Sequence, residues 1–182
     1  MGSTAAGASA LIGSGAFSRV ESQRHVTVEV AEDPDAYVGL EPSDSPNGEN
    51  YAEIDDGHLE IDIADQPEGD GVNSNSVTWF DCVFTVTNQG KEAATFYVED
   101  KDGLGEDPGE ISFYTGEASG SDGDEGIDSI VADDSENPEV HLDTGHSECI
   151  GIRVNSAEDQ EDPLFDEHVT LIADSPEAGE TS

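Results

Sequence analysis

The sequence predicts an all-β protein: a β-sandwich, jelly-roll or immunoglobulin-like, of about ten short strands behind an N-terminal leader. Three observations carry this. Apolar and polar residues alternate over several short windows, the period of a strand with one buried face. Clusters of Gly, Pro, Asn and Asp separate those windows and supply turns. Beyond the leader, no window sustains the 3.6-residue apolar period of an amphipathic helix.

The elements follow in order. Val26, Val28 and Val30 alternate with Thr27 and Glu29, predicting a first strand. Residues 36–40 (AYVGL) predict a second, and residues 42–50 a loop rich in Ser, Pro, Asn and Gly. Leu59, Ile61 and Ile63 form a third alternation, and 66–75 is a further loop. The strongest strand is Ser76–Asn88, where Phe80, Cys82, Phe84 and Val86 share one parity and Asp81, Thr85 and Thr87 the other. The turn Asn88-Gln89-Gly90 then leads into a strand through Phe96 and Val98, a hairpin signal. A short strand is expected at 111–114 and an acidic loop at 116–126. Further strands are expected at 127–132, 140–142, 149–154 and 168–173. One sandwich domain, 17–174, suits a chain of 182 residues, and the tail 175–182 is expected to lack fixed structure.

Charge is the loudest feature of composition. With 44 Asp+Glu and 5 Lys+Arg, the net charge is 5 − 44 = −39. That much like charge repels itself and opposes a compact state at low ionic strength. The acids interrupt ordered alternations instead of forming one block, so the expectation is a folded protein that requires high salt. Nucleic acid and anionic membranes are poor partners for such a surface, and no apolar run reaches the length of a membrane span.

Residues 1–17 (MGSTAAGASALIGSGAF) carry no charge and surround Leu11-Ile12 with small residues. This is the apolar region and exit of a secretory signal without its basic head, so 1–16 is expected to be a leader remnant and the protein extracellular or at the cell surface. In an exported chain the two cysteines, Cys82 and Cys149, are a candidate disulfide. Their parities disagree: Cys82 runs with inward Phe80 and Phe84, whereas Cys149 opposes Ile150, Ile152 and Val154. A bulge near Gly151 is one way to reconcile them, and two free thiols the other.

No catalytic, cofactor or metal site emerges. His25, His58, His141, His146 and His168 are scattered and show no HExxH or other ligand spacing. Asp122-Gly123-Asp124 opens like a calcium loop, but Gly126 stands where a ligand is needed and Asp133 where an EF-hand has Glu. A solvated acidic loop is the plainer reading. Serine-nucleophile and phosphate-cradling motifs are absent.

The segments LIGSGAFSRVESQR, VTVEVAEDPDAYVGLEP, FDCVFTVTNQG and GHSECIGIRV resemble a haloarchaeal family of secreted proteins of unknown function. That family is in turn similar to the camelysin/TasA-like biofilm-fibre proteins. The resemblance spans residues 11–154. It implies a fibre, pilus or extracellular-matrix subunit that self-associates into filaments by donor-strand exchange, in which one subunit's N-terminal segment completes the next subunit's sheet. The candidate donor segment is 17–30, with Phe17, Val20, Val26, Val28 and Val30 as its apolar positions and two of the five basic residues, Arg19 and Arg24. The alternatives are a monomeric surface β-sandwich that binds a polymer or Ca²⁺, and a metalloprotease-like enzyme, against which the missing HExxH counts.

Overall fold

The structure, a computed structural model, describes residues 24–30, 38–63, 65–66, 69–70, 75–100, 104–105, 107, 110–119, 125–132, 140–156 and 165–174. The expected leader 1–16, Phe17, Val20 and the tail 175–182 lie outside the described residues. In chain order the elements are β1 (Arg24–Val30), β2 (Val38–Pro42), α1 (Pro46–Tyr51), β3 (Ala52–Asp55), β4 (His58–Asp62), β5 (Asp65–Gln66), β6 (Gly69–Asp70) and β7 (Ser76–Asn88). They continue with β8 (Ala94–Glu99), β9 (Ile111–Ser119), β10 (Glu125–Ser129), β11 (Val131–Ala132), β12 (Val140–Leu142), β13 (Ser147–Ser156) and β14 (Phe165–Asp174).

The architecture is an all-β sandwich. One sheet has the order β11-β8-β14-β1-β4-β3, with β12 also pairing β8; the other has the order β10-β9-β13-β7-β2 and is antiparallel throughout. The inward faces meet in a single apolar core. Val26, Val28, Ile61, Val98, Val169 and Leu171 enter from the first sheet. Phe84, Val86, Phe113, Ile150, Ile152 and Val154 enter from the second, with Phe84 and Phe113 edge to face at 6.3 Å. Burying such side chains is worth about 1.5–3 kcal/mol each, which is why alternation decides the fold.

Fourteen strands are present among the described residues, against about ten expected from alternation alone. The difference has local causes. Residues 127–132, expected as one strand, split at Ile130, where the chain turns the corner of the sandwich. β10 pairs with β9 in one sheet and β11 with β8 in the other. Ile130 is buried between them, its N–H donating to the Phe113 carbonyl (2.9 Å) and its carbonyl accepting from Val98 N–H (2.8 Å).

The acidic segment 116–126 is not all loop. β9 runs on to Ser119 and pairs back with β10, because two glycines with positive φ meet there: Gly116 (91°) and Gly126 (84°). A Cβ on Gly116 would collide with the Gly126 carbonyl, so only glycine permits this approach. Within 66–75, also expected to be loop, Asp65–Gln66 and Gly69–Asp70 form a small two-stranded ladder.

Residues 42–50, expected to be a loop, hold α1. Ser45 caps it, its Oγ accepting from Gly48 N–H at 3.1 Å, and Pro46 opens it with a φ already suited to a helix. At six residues the helix is too short to show an apolar period.

Candidate functional site

Two places gather the residues singled out by the sequence. The first is β1. It lies inside its sheet, parallel to β14 on one side and antiparallel to β4 on the other. Val26 faces Ile61 and Val28 faces Leu59 in the β4 ladder, and both valines are fully buried. Val30 pairs in register with Leu171 of β14. In the single chain, then, this segment fills a position in its own sheet.

The second place is the strand pair β7–β13. Phe84 pairs with Ile150 and Phe80 with Ile152, so Asp81, Cys82 and Val83 together span the position of Gly151. This is a bulge with the extra residues on β7. Parity alone puts Cys82 inward beside Phe80; the bulge overturns that. Cys82 takes a left-handed backbone (φ 54°), Val83 enters the core in its place, and Cys82 is only half-buried. On β13, Cys149 alternates with buried Ile150 and faces out of the sandwich. The two cysteines are bonded, with Cα atoms 5.0 Å apart.

The bulge is held by neighbours that sequence reasoning missed. Asn47 Nδ2 donates to the Asp81 carbonyl at 2.7 Å. The hydroxyls of Ser43 and Ser45 both donate to the Cys82 carbonyl, and Ser43 N–H donates to the Val83 carbonyl at 3.1 Å. Every carbonyl of the bulge is thus gripped by residues 43–47, the capped entry to α1. The packing there is close: a Cβ on Gly48 would strike Ser43. The readable signal was Ser45-Pro46, a cap followed by a helix-opening proline.

From the other side, Asp81 Oδ1 accepts from Tyr114 Oη at 2.7 Å and from Ala118 N–H at 2.8 Å. Tyr114 stands opposite Gly151 in the β9–β13 ladder and is buried. Burial of the phenol, then its hydrogen bond to Asp81 and the nearby carboxylate charge, push Tyr114 well above the usual tyrosine range. Further along the same face, Arg153 is buried with its guanidinium 6.0 Å from the Trp79 ring centroid.

The family model described as "Protein of unknown function (DUF1102)" matches residues 21–178, a span that includes every strand from β1 to β14. The chain belongs to the DUF1102 family. Neither the curated proteins nor the solved structures yielded a match.

In this DUF1102 member, three of the histidines have described side chains: His58, His141 and His146. His58 and His146 are exposed, and His141 Nδ1 shares a hydrogen bond with Thr95 Oγ1 at 2.9 Å. Among the described residues, no group of three or more His, Cys, Asp or Glu is placed to hold a metal, and no helix is long and apolar enough to cross a membrane. Residues 125–128 of the calcium-like stretch belong to β10, where Ile127 and Asp128 pair with Gly116 and Thr115.

Proposed function

We propose that this protein is an exported structural subunit of the haloarchaeal cell surface, related to the camelysin/TasA-like fibre proteins, that forms filaments by donor-strand exchange in high salt. The observation that carries this reading is the place of β1. The first described strand is also an interior strand, flanked on both sides by ladder partners. The next element along the chain, β2, belongs to the opposite sheet. A strand with that connectivity can leave as a unit. Its departure exposes a slot between β4 and β14 that demands another strand, because unpaired sheet edges seek partners. The same segment from a neighbouring copy has the right residues: Val26 and Val28 for the core positions, each worth about 1.5–3 kcal/mol when buried. A contact of this kind runs head to tail, does not close, and builds a fibre.

A second reading is a monomeric surface β-sandwich serving as a binding module. It is favoured by the same strand, since β1 already satisfies both ladders within one chain.

One experiment separates the two. Thr27 of β1 and Glu60 of β4 stand opposite each other in the ladder. The double variant Thr27→Cys with Glu60→Cys is oxidised in molar salt and run on a non-reducing denaturing gel beside negative-stain microscopy. Exchange between subunits gives filaments and a ladder of covalent multimers. A monomer band alone, with the engineered bond inside one chain, rules out exchange.

A further inference from the structure

We infer that Cys82 and Cys149 form a reversible thiol–disulfide exchange site, assembled on a frame that persists when the bond is broken. The argument begins with the bulge. Were β7 straight beyond Phe84, Val83 would face Gly151 and Cys82 would face Ile152, inward and three positions from Cys149. At roughly 3.4 Å per residue that is about 10 Å along the ladder, past the 7 Å or so that a disulfide can span between Cα atoms. The bond is therefore compatible only with the bulged strand.

The bulge does not depend on the bond. Asn47 holds the carbonyl of Asp81, Ser43 and Ser45 that of Cys82, and the Ser43 backbone that of Val83. Tyr114 and Ala118 hold the Asp81 carboxylate. These bonds come from α1 and its cap on one side and from β9 on the other; none involves a sulfur atom. They fix Cys82 in its left-handed conformation, a state that costs a non-glycine residue about 1–2 kcal/mol. The two sulfurs are thus presented to one another by groups that remain when they separate.

Access and chemistry agree with this. Both cysteines are half-buried on the outward face of the sheet, where a small dithiol can reach them. A dithiol thiolate attacks one sulfur, the Cys82–Cys149 bond breaks, and a mixed disulfide forms. The second thiol of the reductant then displaces the protein sulfur and closes a cyclic disulfide. Two electrons and two protons pass from the dithiol to the protein, which gains two thiols. The chain has two cysteines, so reoxidation within one chain can restore only the same bond.

The test uses the full chain in molar NaCl with dithiothreitol, then with defined glutathione buffers, following thiols by alkylation and mass and the fold by circular dichroism. The reduced protein is expected to keep its strand signal and to reoxidise to the native bond. Asn47→Ala and Tyr114→Phe each remove one hydrogen bond of the frame. Because the frame is present in both redox states, each is expected to lower the stability of both and to shift the glutathione equilibrium by less than about twofold, whereas a frame made only with the bond would give about fivefold. Thr87→Val removes a hydrogen bond to Ser147 on the same strand pair but outside the frame, and should leave that equilibrium in place. The proposal is overturned if dithiothreitol leaves the bond intact or if reduction unfolds the chain in molar salt. It is equally overturned if either frame variant shifts the glutathione equilibrium toward the dithiol by about fivefold or more while Thr87→Val does not, since the frame would then form only with the bond.

Discussion

Tyr114 and Gly151 face each other across the β9–β13 ladder, and the glycine is what makes room for the tyrosine. A Cβ built on Gly151 would lie 2.5 Å from Tyr114 Cζ and 2.8 Å from its hydroxyl oxygen. The ring covers the glycine and sends its hydroxyl on to Asp81, so one residue both shields the β13 strand and secures the β7 bulge. Gly151→Ala should therefore push the ring aside and loosen the Asp81 contact. A cost of about 1–3 kcal/mol is expected, the usual range for overpacking. Urea denaturation in molar salt measures it. Pairing Gly151→Ala with Tyr114→Phe tests the coupling, since the two changes should not add.

The same tyrosine sets an alkaline limit. Its folded pKa lies above the ordinary value near 10 because burial and Asp81 both disfavour the phenolate. In the unfolded chain that value returns to about 10. Below this pH the phenol is neutral in both states and its contribution is fully present. As pH rises above it, only the unfolded state releases the proton, so stability falls with pH. Absorbance near 295 nm should show Tyr114 ionising only as the strand signal is lost. In Tyr114→Phe, the loss of stability above pH 10 or so should be shallower.

The strands that bury one face were legible because alternation is written residue by residue. Val26 and Val28, Leu59 and Ile61, and Phe96 and Val98 all enter the core as their spacing demands. Three kinds of feature were not. A bulge breaks the parity rule without marking the sequence strongly: the expected irregularity near Gly151 exists, but its extra residues belong to β7. The corner at Ile130 depends on which sheet each half joins, which no local window contains. The grip of residues 43–47 on Asp81, Cys82 and Val83 joins segments well separated in sequence, and only the folded register brings them together.

The disulfide should contribute most of its stabilisation through the unfolded chain. It links residues 67 apart in sequence, for which the entropy model gives roughly 4 kcal/mol. Cys82→Ser with Cys149→Ser should lower the unfolding free energy by about that amount while the folded strand signal in molar salt stays unchanged. Chemical denaturation of the two proteins side by side measures the difference. A change below about 1 kcal/mol would mean that the unfolded chain is already compact near these residues.

The fold should also depend on salt, and the reason lies in where the acids are. The net charge is −39, and no Asp or Glu whose side-chain burial the structure describes is buried; the buried polar residues among those described are Thr27, Ser43, Asn88, Ser112, Arg153 and Ser156. Apart from Asp81, which Tyr114 and Ala118 hold, these carboxylates are at least partly open to water, where they repel one another across the surface. Little opposes that repulsion, because the whole chain has 5 basic residues against 44 acids. At 1 M salt the Debye length is about 3 Å, so exposed carboxylates hardly sense their neighbours. At 0.01 M it is about 30 Å, and a large part of the surface repels at once. Unfolding moves the acids apart and relieves that energy, so dialysis from molar to millimolar NaCl should lower stability and, at its end, the strand signal itself. Sodium sulfate should restore the fold at lower concentration than NaCl, since it also strengthens apolar burial. The measurement is circular dichroism with a thermal melt at each salt concentration. A melting temperature that stays constant through the dialysis would sink the idea that salt holds this protein together.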